Sequence, residues 1–220
     1  HVTVEVKICG VRKPDILEAA IGAGAEFVGF VFYAKSPRDL TIPDAIDLAG
    51  AVRGRARTVA VVVDPDDDLV DRIVARVRPD VLQLHGAETP DRVRAIKARA
   101  GLTVFKAVPV SDAPDVADAA RFSGVADQVL FDTKAPPGSE LPGGNGLCFN
   151  WALLHAAAPP FALSGGLDAD NVAEAISQSG AMLVDVSSGV ETAPGEKDPR
   201  LVEQLVRAVR EAAPKQKKAS

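Results

Sequence analysis

Short runs rich in Val, Ile, Leu and Phe alternate along the chain with Ala-rich segments of helical apolar spacing, at intervals of roughly 20–30 residues. The runs are Val4–Cys9, Phe27–Phe32, Thr58–Val63, Asp80–His85, Thr103–Val108, Gln128–Asp132, Phe161–Ser164 and Met182–Val186. The helical segments lie near Pro14–Ala23, Pro43–Val52, Asp67–Val77, Pro90–Ala100, Ala113–Phe122, Trp151–Ala157, Asp170–Ser179 and Pro199–Ala212. Several of them open on proline, as in Thr89-Pro90 and Asp198-Pro199. Proline suits that place because its φ is already helical and the first turn has no use for its missing N–H. Strict alternation implies parallel strands joined by right-handed crossovers. Eight such units close a barrel more naturally than they extend an open sheet. No GxGxxG follows the first run, which weighs against a dinucleotide-binding sheet. The expected fold is therefore α/β, a single-domain (β/α)8 barrel over 1–220, with 213–220 a disordered basic tail.

One connection breaks the pattern. Thr133–Asn150 contains Pro136-Pro137-Gly138 and Gly143-Gly144-Asn145-Gly146 and is far longer than its counterparts. A long Gly-rich connection in such a fold is expected to be a lid or a binding loop.

Composition changes the picture little. Of 220 residues 47% are hydrophobic and only 5% aromatic, so the core must be built from small and β-branched side chains, as buried parallel strands require. The net charge of −5, with no Lys/Arg run before Lys215, Lys217 and Lys218, argues against a nucleic-acid partner. No apolar run is long enough for a membrane span and no signal-peptide pattern opens the chain, so a cytoplasmic protein is expected. His1 in place of Met is read as a trimmed start. The two cysteines, Cys9 and Cys148, have no metal-ligand spacing, and neither a metal nor a cofactor is expected. Monomer and homodimer both stay open.

In barrels of this kind the chemistry sits where the strands end. The first run ends Lys7-Ile8-Cys9-Gly10, the fourth Gln83-Leu84-His85-Gly86, the sixth Leu130-Phe131-Asp132-Thr133. Alternation puts Lys7 and Cys9 on one face. A thiol, an imidazole and a carboxylate thus converge on one rim. Each has a plainer explanation: a buried packing thiol, a histidine bonded to a carbonyl, a carboxylate capping a loop. Ser164-Gly165-Gly166-Leu167 follows the seventh run, and Asp185-Val186-Ser187-Ser188-Gly189-Val190-Glu191 ends and follows the eighth. Gly-containing loops at both places form the recurring phosphate grip of barrels, with amides close to the oxygens and a helix start behind them. Ser36-Pro37-Arg38, in the loop after the second run, offers a guanidinium for a carboxylate.

Together these segments, with Pro194-Gly195-Glu196-Lys197-Asp198, resemble the phosphoribosylanthranilate isomerase family of tryptophan biosynthesis over nearly the whole chain. The resemblance implies an Amadori rearrangement of N-(5-phosphoribosyl)anthranilate to 1-(2-carboxyphenylamino)-1-deoxyribulose 5-phosphate. It makes Asp132 the general acid and Cys9 the general base. Arg38, His85 and Asp185 would contact the substrate, and Gly165, Gly166, Ser188 and Gly189 its phosphate. A thiol with a reference pKa of about 8.5 needs help to serve as a base, and Lys7 is a candidate neighbour. An aspartic acid that gives up a proton at neutral pH needs burial, which a closed loop would supply. Rival readings are the histidine-pathway isomerase, which carries Asp where this chain has Cys9, and a non-catalytic phosphosugar-binding barrel. The chain departs from the family where Gly144-Asn145-Gly146-Leu147-Cys148-Phe149-Asn150-Trp151 replaces Gly-x-Gly-Lys-Thr-Phe-Asp-Trp, and in the lengthened Pro137–Pro142. Leu147 removes a cation from the mouth. Cys148, flanked by Leu147 and Phe149, is expected to be an inert packing residue.

Overall fold

The structure is a computed structural model that describes residues 3–212; the proposed basic tail lies outside them. Eight parallel strands form a closed barrel in sequence order: β1 Glu5–Cys9, β2 Phe27–Phe32, β3 Arg57–Val62, β4 Val81–Leu84, β5 Thr103–Val110, β6 Gln128–Thr133, β7 Phe161–Ser164 and β8 Leu183–Val186. The ring closes where β1 pairs with β8, Lys7 opposite Asp185. The sequence therefore places the strands within a few residues. Its largest strand error is β5, which runs two residues past Val108 because Pro109, a residue that gives no ladder N–H, is spanned rather than avoided; Val110 still pairs with Thr133.

The crossovers are α1 Pro14–Ala23, α2 Ile42–Val52, α3 Asp67–Arg72, α4 Pro90–Ala100, α5 Ala113–Asp118, α6 Val172–Ser179 and α7 Pro199–Glu211. Thr41, Asp66, Thr89, Asp112 and Asp198 cap five of them through side-chain acceptors, and proline stands in the first turn of α1, α2, α4, α5 and α7. Three expected helices are less regular than their patterns suggest. The third passes into a π turn at Ile73–Val77, the fifth into a 3-10 turn at Ala119–Phe122, and Trp151–Ala156 is 3-10 throughout. Apolar spacing cannot tell these hydrogen-bond patterns apart.

Period two divides the strands between two cores. Val6, Ile8, Phe30, Val62, Leu82, Leu163 and Val184 face the helices, while Phe27, Val59, Val61, Phe105, Leu130, Ala162 and Leu183 fill the barrel interior. α7 closes the outer layer with Val202, Leu205, Val206 and Val209, one stripe of a helix packed on α1 and α6. The same alternation sends Lys7, Cys9, Gln83, Asp132, Ser164 and Asp185 inward, so polar groups replace apolar ones in the upper part of the barrel. Among the described residues no helix is long and apolar enough to cross a membrane.

After β8 the chain makes a 3-10 turn, Ser188–Val190, and a small antiparallel hairpin, β9 Glu191–Ala193 with β10 Glu196–Lys197. Nothing in the hydrophobic pattern announces this hairpin, because it buries almost no apolar surface.

Candidate active site

Lys7 and Cys9 end β1 two residues apart on the inward face. Gly29 opposite them leaves the room they need: a Cβ there would lie 3.0 Å from the Cys9 Sγ and 3.3 Å from the Lys7 Cε. Lys7 is fully buried and donates to the Asp185 Oδ1 at 2.9 Å, while the Ser164 hydroxyl donates to Oδ2 at 3.2 Å. Burial alone would lower the Lys7 pKa, but Asp185 and Cys9 outweigh it and the ammonium is held above its ordinary value. Burial likewise pushes the Cys9 thiol up, and Lys7 offsets only part of that because Asp185 opposes it. Lys7 thus has both roles weighed for it, pairing within the barrel and neighbouring the thiol.

Across the mouth, Asp132 is 4% exposed at the end of β6. Its Oδ1 accepts from the Thr133 amide at 2.8 Å, and its Oδ2 lies 2.8 Å from the His85 Nε2. His85 in turn meets the Gln83 amide nitrogen through Nδ1 at 2.9 Å. A local cap and a cross-strand partner both hold the carboxyl, so the capping explanation and the chemical one are compatible.

Arg38 is 6% exposed beside the same mouth. Its Nε and Nη2 donate to the two oxygens of Glu191 at 2.8 and 2.7 Å, leaving Nη1 as the nitrogen turned to Gly144. Lys197 from β10 donates to Glu191 at 3.0 Å and to the Ser187 carbonyl at 2.9 Å. Burial raises the Glu191 pKa, but Arg38 and Lys197 outweigh it, so the carboxylate sits below its usual range. The hairpin's function in the fold is to carry this buried cation–anion–cation cluster. The sequence reading missed Glu191, Lys197, Gln83 and Ser187 as site residues, although Glu191 and Lys197 stand in the very segments that carry the family resemblance.

The loops after β7 and β8 meet as expected. Gly165 and Gly166 take φ of 95° and 65°, left-handed values that favour glycine. Among the described residues their amides have no protein acceptor. Ser188 starts the 3-10 turn behind them and lines the cavity. Gly189 is set against the Leu167 carbonyl so closely that a Cβ would overlap it, which lets the two loops touch.

The long connection after β6 folds over all of this. Thr133 Oγ1 donates to the Leu147 carbonyl at 2.6 Å, and the Tyr33 hydroxyl donates to the Glu140 carbonyl at 3.3 Å. A Cβ on Gly143 would stand 2.5 Å from the Asp132 Oδ2 and 2.7 Å from the His85 Nε2. The remaining cavity, lined by Cys9, Arg38, His85, Asp132, Gly165, Gly166, Asp185 and Ser188, has about 80 Å³, far below the few hundred a ligand occupies. Cys148 departs from expectation. It is exposed, and its thiol donates to the Gly166 carbonyl at 3.3 Å, because the loop crosses the rim instead of packing under it. Asn150 keeps its capping role, accepting from the Ala152 amide at 3.1 Å. Among the described residues no group of three or more His, Cys, Asp or Glu side chains is placed to hold a metal ion.

Residues 6–208 match the family model described as N-(5'phosphoribosyl)anthranilate (PRA) isomerase. The N-(5'-phosphoribosyl)anthranilate isomerase of Brucella canis is 53% identical over 211 residues, 95% of each chain. A phosphoribosyl anthranilate isomerase structure from Thermotoga maritima superposes with a TM-score of 0.84 at 33% identity, covering 94% of this chain and 98% of that one. An isomerase structure in complex with reduced 1-(o-carboxyphenylamino)-1-deoxyribulose 5-phosphate gives 0.82 at 31% identity, with the same coverage. The order of the motifs, the closed barrel and the rim that gathers them lead to one conclusion: the chain belongs to the N-(5'-phosphoribosyl)anthranilate isomerase family, whose enzymes carry out the aldose–ketose rearrangement of tryptophan biosynthesis.

Proposed function

We propose that Cys9 and Asp132 are the base and the acid of this isomerisation, working from opposite sides of one mouth. The observation that carries the reading is that both line one cavity, whose third side is Gly165 and Gly166 with amides that meet no acceptor among the described residues. Those amides, with Ser188 and Gly189, hold the substrate phosphate. Arg38 offers Nη1 to the anthranilate carboxylate while Glu191 keeps its other edge fixed. His85 and Asp185 contact the substrate from β4 and β8.

Asp132 gives its proton to the ribose ring oxygen. The C1–O bond breaks, and the anthranilate nitrogen supplies electrons to form a protonated Schiff base. Cys9 then takes the C2 proton, the electrons of that C–H bond form the enolamine, and tautomerisation leaves the ketone at C2. Burial disfavours the thiolate, but the cationic Schiff base brings a positive charge next to Cys9 when the base is needed. The residues present supply acid, base and anion grip, so the reading uses no metal and no cofactor. The protein acts as a single-domain cytoplasmic enzyme on a small phosphoribosyl substrate, not on nucleic acid. Its state is monomer or homodimer; one Thermotoga maritima neighbour, with a TM-score of 0.81 and 32% identity, is described as monomers generated from a dimeric isomerase.

The test is turnover of phosphoribosylanthranilate followed by its loss of fluorescence. Cys9→Ser should lower kcat by ~10²–10⁴ with little change in KM, and inorganic phosphate should compete with substrate. Near-normal turnover by Cys9→Ser would remove Cys9 from the mechanism, and non-competitive inhibition by phosphate would remove the grip.

A further inference from the structure

We propose that Gln83 is a positioning residue for the acid step: its amide N–H, given to Nδ1, fixes His85 as the tautomer that carries its proton on Nε2. This rests on the reading of Asp132 as the acid. Gln83 and His85 follow each other on the inward face of the β4 line, so the pleat stacks the amide beneath the imidazole. The contacts run Gln83 Nε2 to His85 Nδ1 at 2.9 Å and His85 Nε2 to Asp132 Oδ2 at 2.8 Å. They span from β4 to β6 across the barrel, over the intervening β5.

Two observations separate this from ordinary packing. Gln83 has no exposure at all, and its Oε1 is a buried acceptor without a partner. An unpaired buried polar atom is destabilising, so a residue chosen for stability alone would be Leu or Met. The second is the chemistry of the neighbour. A bare imidazole nitrogen next to Asp132 is a base that would take the proton the acid has to deliver. With Nε2 already protonated and Nδ1 occupied by an amide N–H, His85 has no lone pair left to offer. It can only donate to Asp132, which orients the carboxyl and leaves its proton for the substrate. The charged groups facing the imidazole do not disturb this arrangement. Besides Asp132 from β6, Asp64 of the loop after β3 directs Oδ1 to the Ala87 amide at 2.9 Å, and Lys106 and Glu88, which share a cavity with His85, pair with each other at 2.9 Å.

The experiment uses the full chain with 15N-labelled histidine at neutral pH, the His85 signals being identified by their loss in His85→Asn. In the unmodified enzyme, His85 should be neutral with the proton on Nε2. Gln83→Met should spread the signal over both tautomers and lower kcat by at least about tenfold while KM stays within about threefold. Gln83→Glu places a carboxylate at Nδ1, which favours the imidazolium, so His85 should become doubly protonated and kcat should fall further. An Nδ1-protonated or doubly protonated His85 in the unmodified enzyme overturns the proposal. So does a Gln83→Met enzyme with an unchanged spectrum or unchanged kcat. If Gln83→Met does not fold, the unmodified spectrum and Gln83→Glu decide. The two readings fail separately: an active Asp132→Asn removes the acid, whereas an inactive Asp132→Asn beside a fully active Gln83→Met removes only Gln83.

Discussion

The two sides of the mouth are built on different physics. Beneath Cys9 lies an ion pair, Lys7–Asp185, and beside it the Arg38–Glu191–Lys197 cluster, so this side is held by full charges out of water. Asp132 instead is held by hydrogen bonds, one from a backbone amide and one shared with an imidazole that itself meets an amide. The difference suits the roles proposed for Cys9 as base and Asp132 as acid. A phosphorylated, carboxylated substrate and a thiolate need positive charge close by, provided it is balanced when the site is empty. An acid must keep its proton, which a neighbouring fixed cation would discourage.

The largest expected effect is on the hydrogen-bonded side. Asp132→Asn keeps the size of the side chain and one acceptor oxygen but has no acidic proton to give, so turnover should fall by ~10²–10⁴ while stability falls by no more than one hydrogen bond, about 1–3 kcal/mol. A loss of stability with retained activity would show that the carboxyl is a cap and nothing more.

The charged side should respond in stability. Glu191→Gln leaves Arg38 and Lys197 as two buried cations without their shared anion, at a cost of about 3–5 kcal/mol. The Glu191 pKa is depressed in the folded state, so its contribution is complete above the ordinary glutamate value of about 4.3 and is lost as pH falls through the lower folded value. Thermal melts should therefore show a large gap between the two proteins at pH 7 that narrows in acid. A gap that stayed constant with pH would assign the loss to packing.

A smaller effect tests what joins the two sides. Gly143→Ala puts a methyl group against Asp132 and His85, which should disfavour the closed loop by about 1–3 kcal/mol and expose it to faster proteolytic cutting. Unchanged cutting would mean that the loop accommodates the methyl in place. The smallest effect concerns the cysteines. Iodoacetamide should label exposed Cys148 first, and Cys148→Ala should keep nearly full activity. Inactivation should follow Cys9, slowly at neutral pH and faster as pH climbs past an ordinary thiol's value, because burial holds that thiol protonated. Inactivation that tracks Cys148 instead would reverse the two roles.

Most of the frame was legible because it depends on local periodicity. Alternation in β1 to β8 fixed which residues face inward, and eight repeats of strand and helix fixed closure. The residues that end β1, β4 and β6 could be read as a rim for the same reason. Helix type was not legible at Ile73–Val77 or Trp151–Ala156, where the same apolar spacing serves three hydrogen-bond patterns.

Partnership was beyond the sequence. That Cys9, Asp132, Arg38 and the two glycine loops matter could be argued from position and motif. That Glu191 occupies one edge of Arg38, that Asp185 takes the charge of Lys7, and that His85 meets Asp132 depend on segments distant in the chain becoming neighbours around a ring. The covering loop is the extreme case. Its glycines announced a special backbone, but only the closed barrel shows Gly143 resting on Asp132 and the exposed Cys148 reaching the Gly166 carbonyl, since a loop without periodicity takes its path from the surface it lands on.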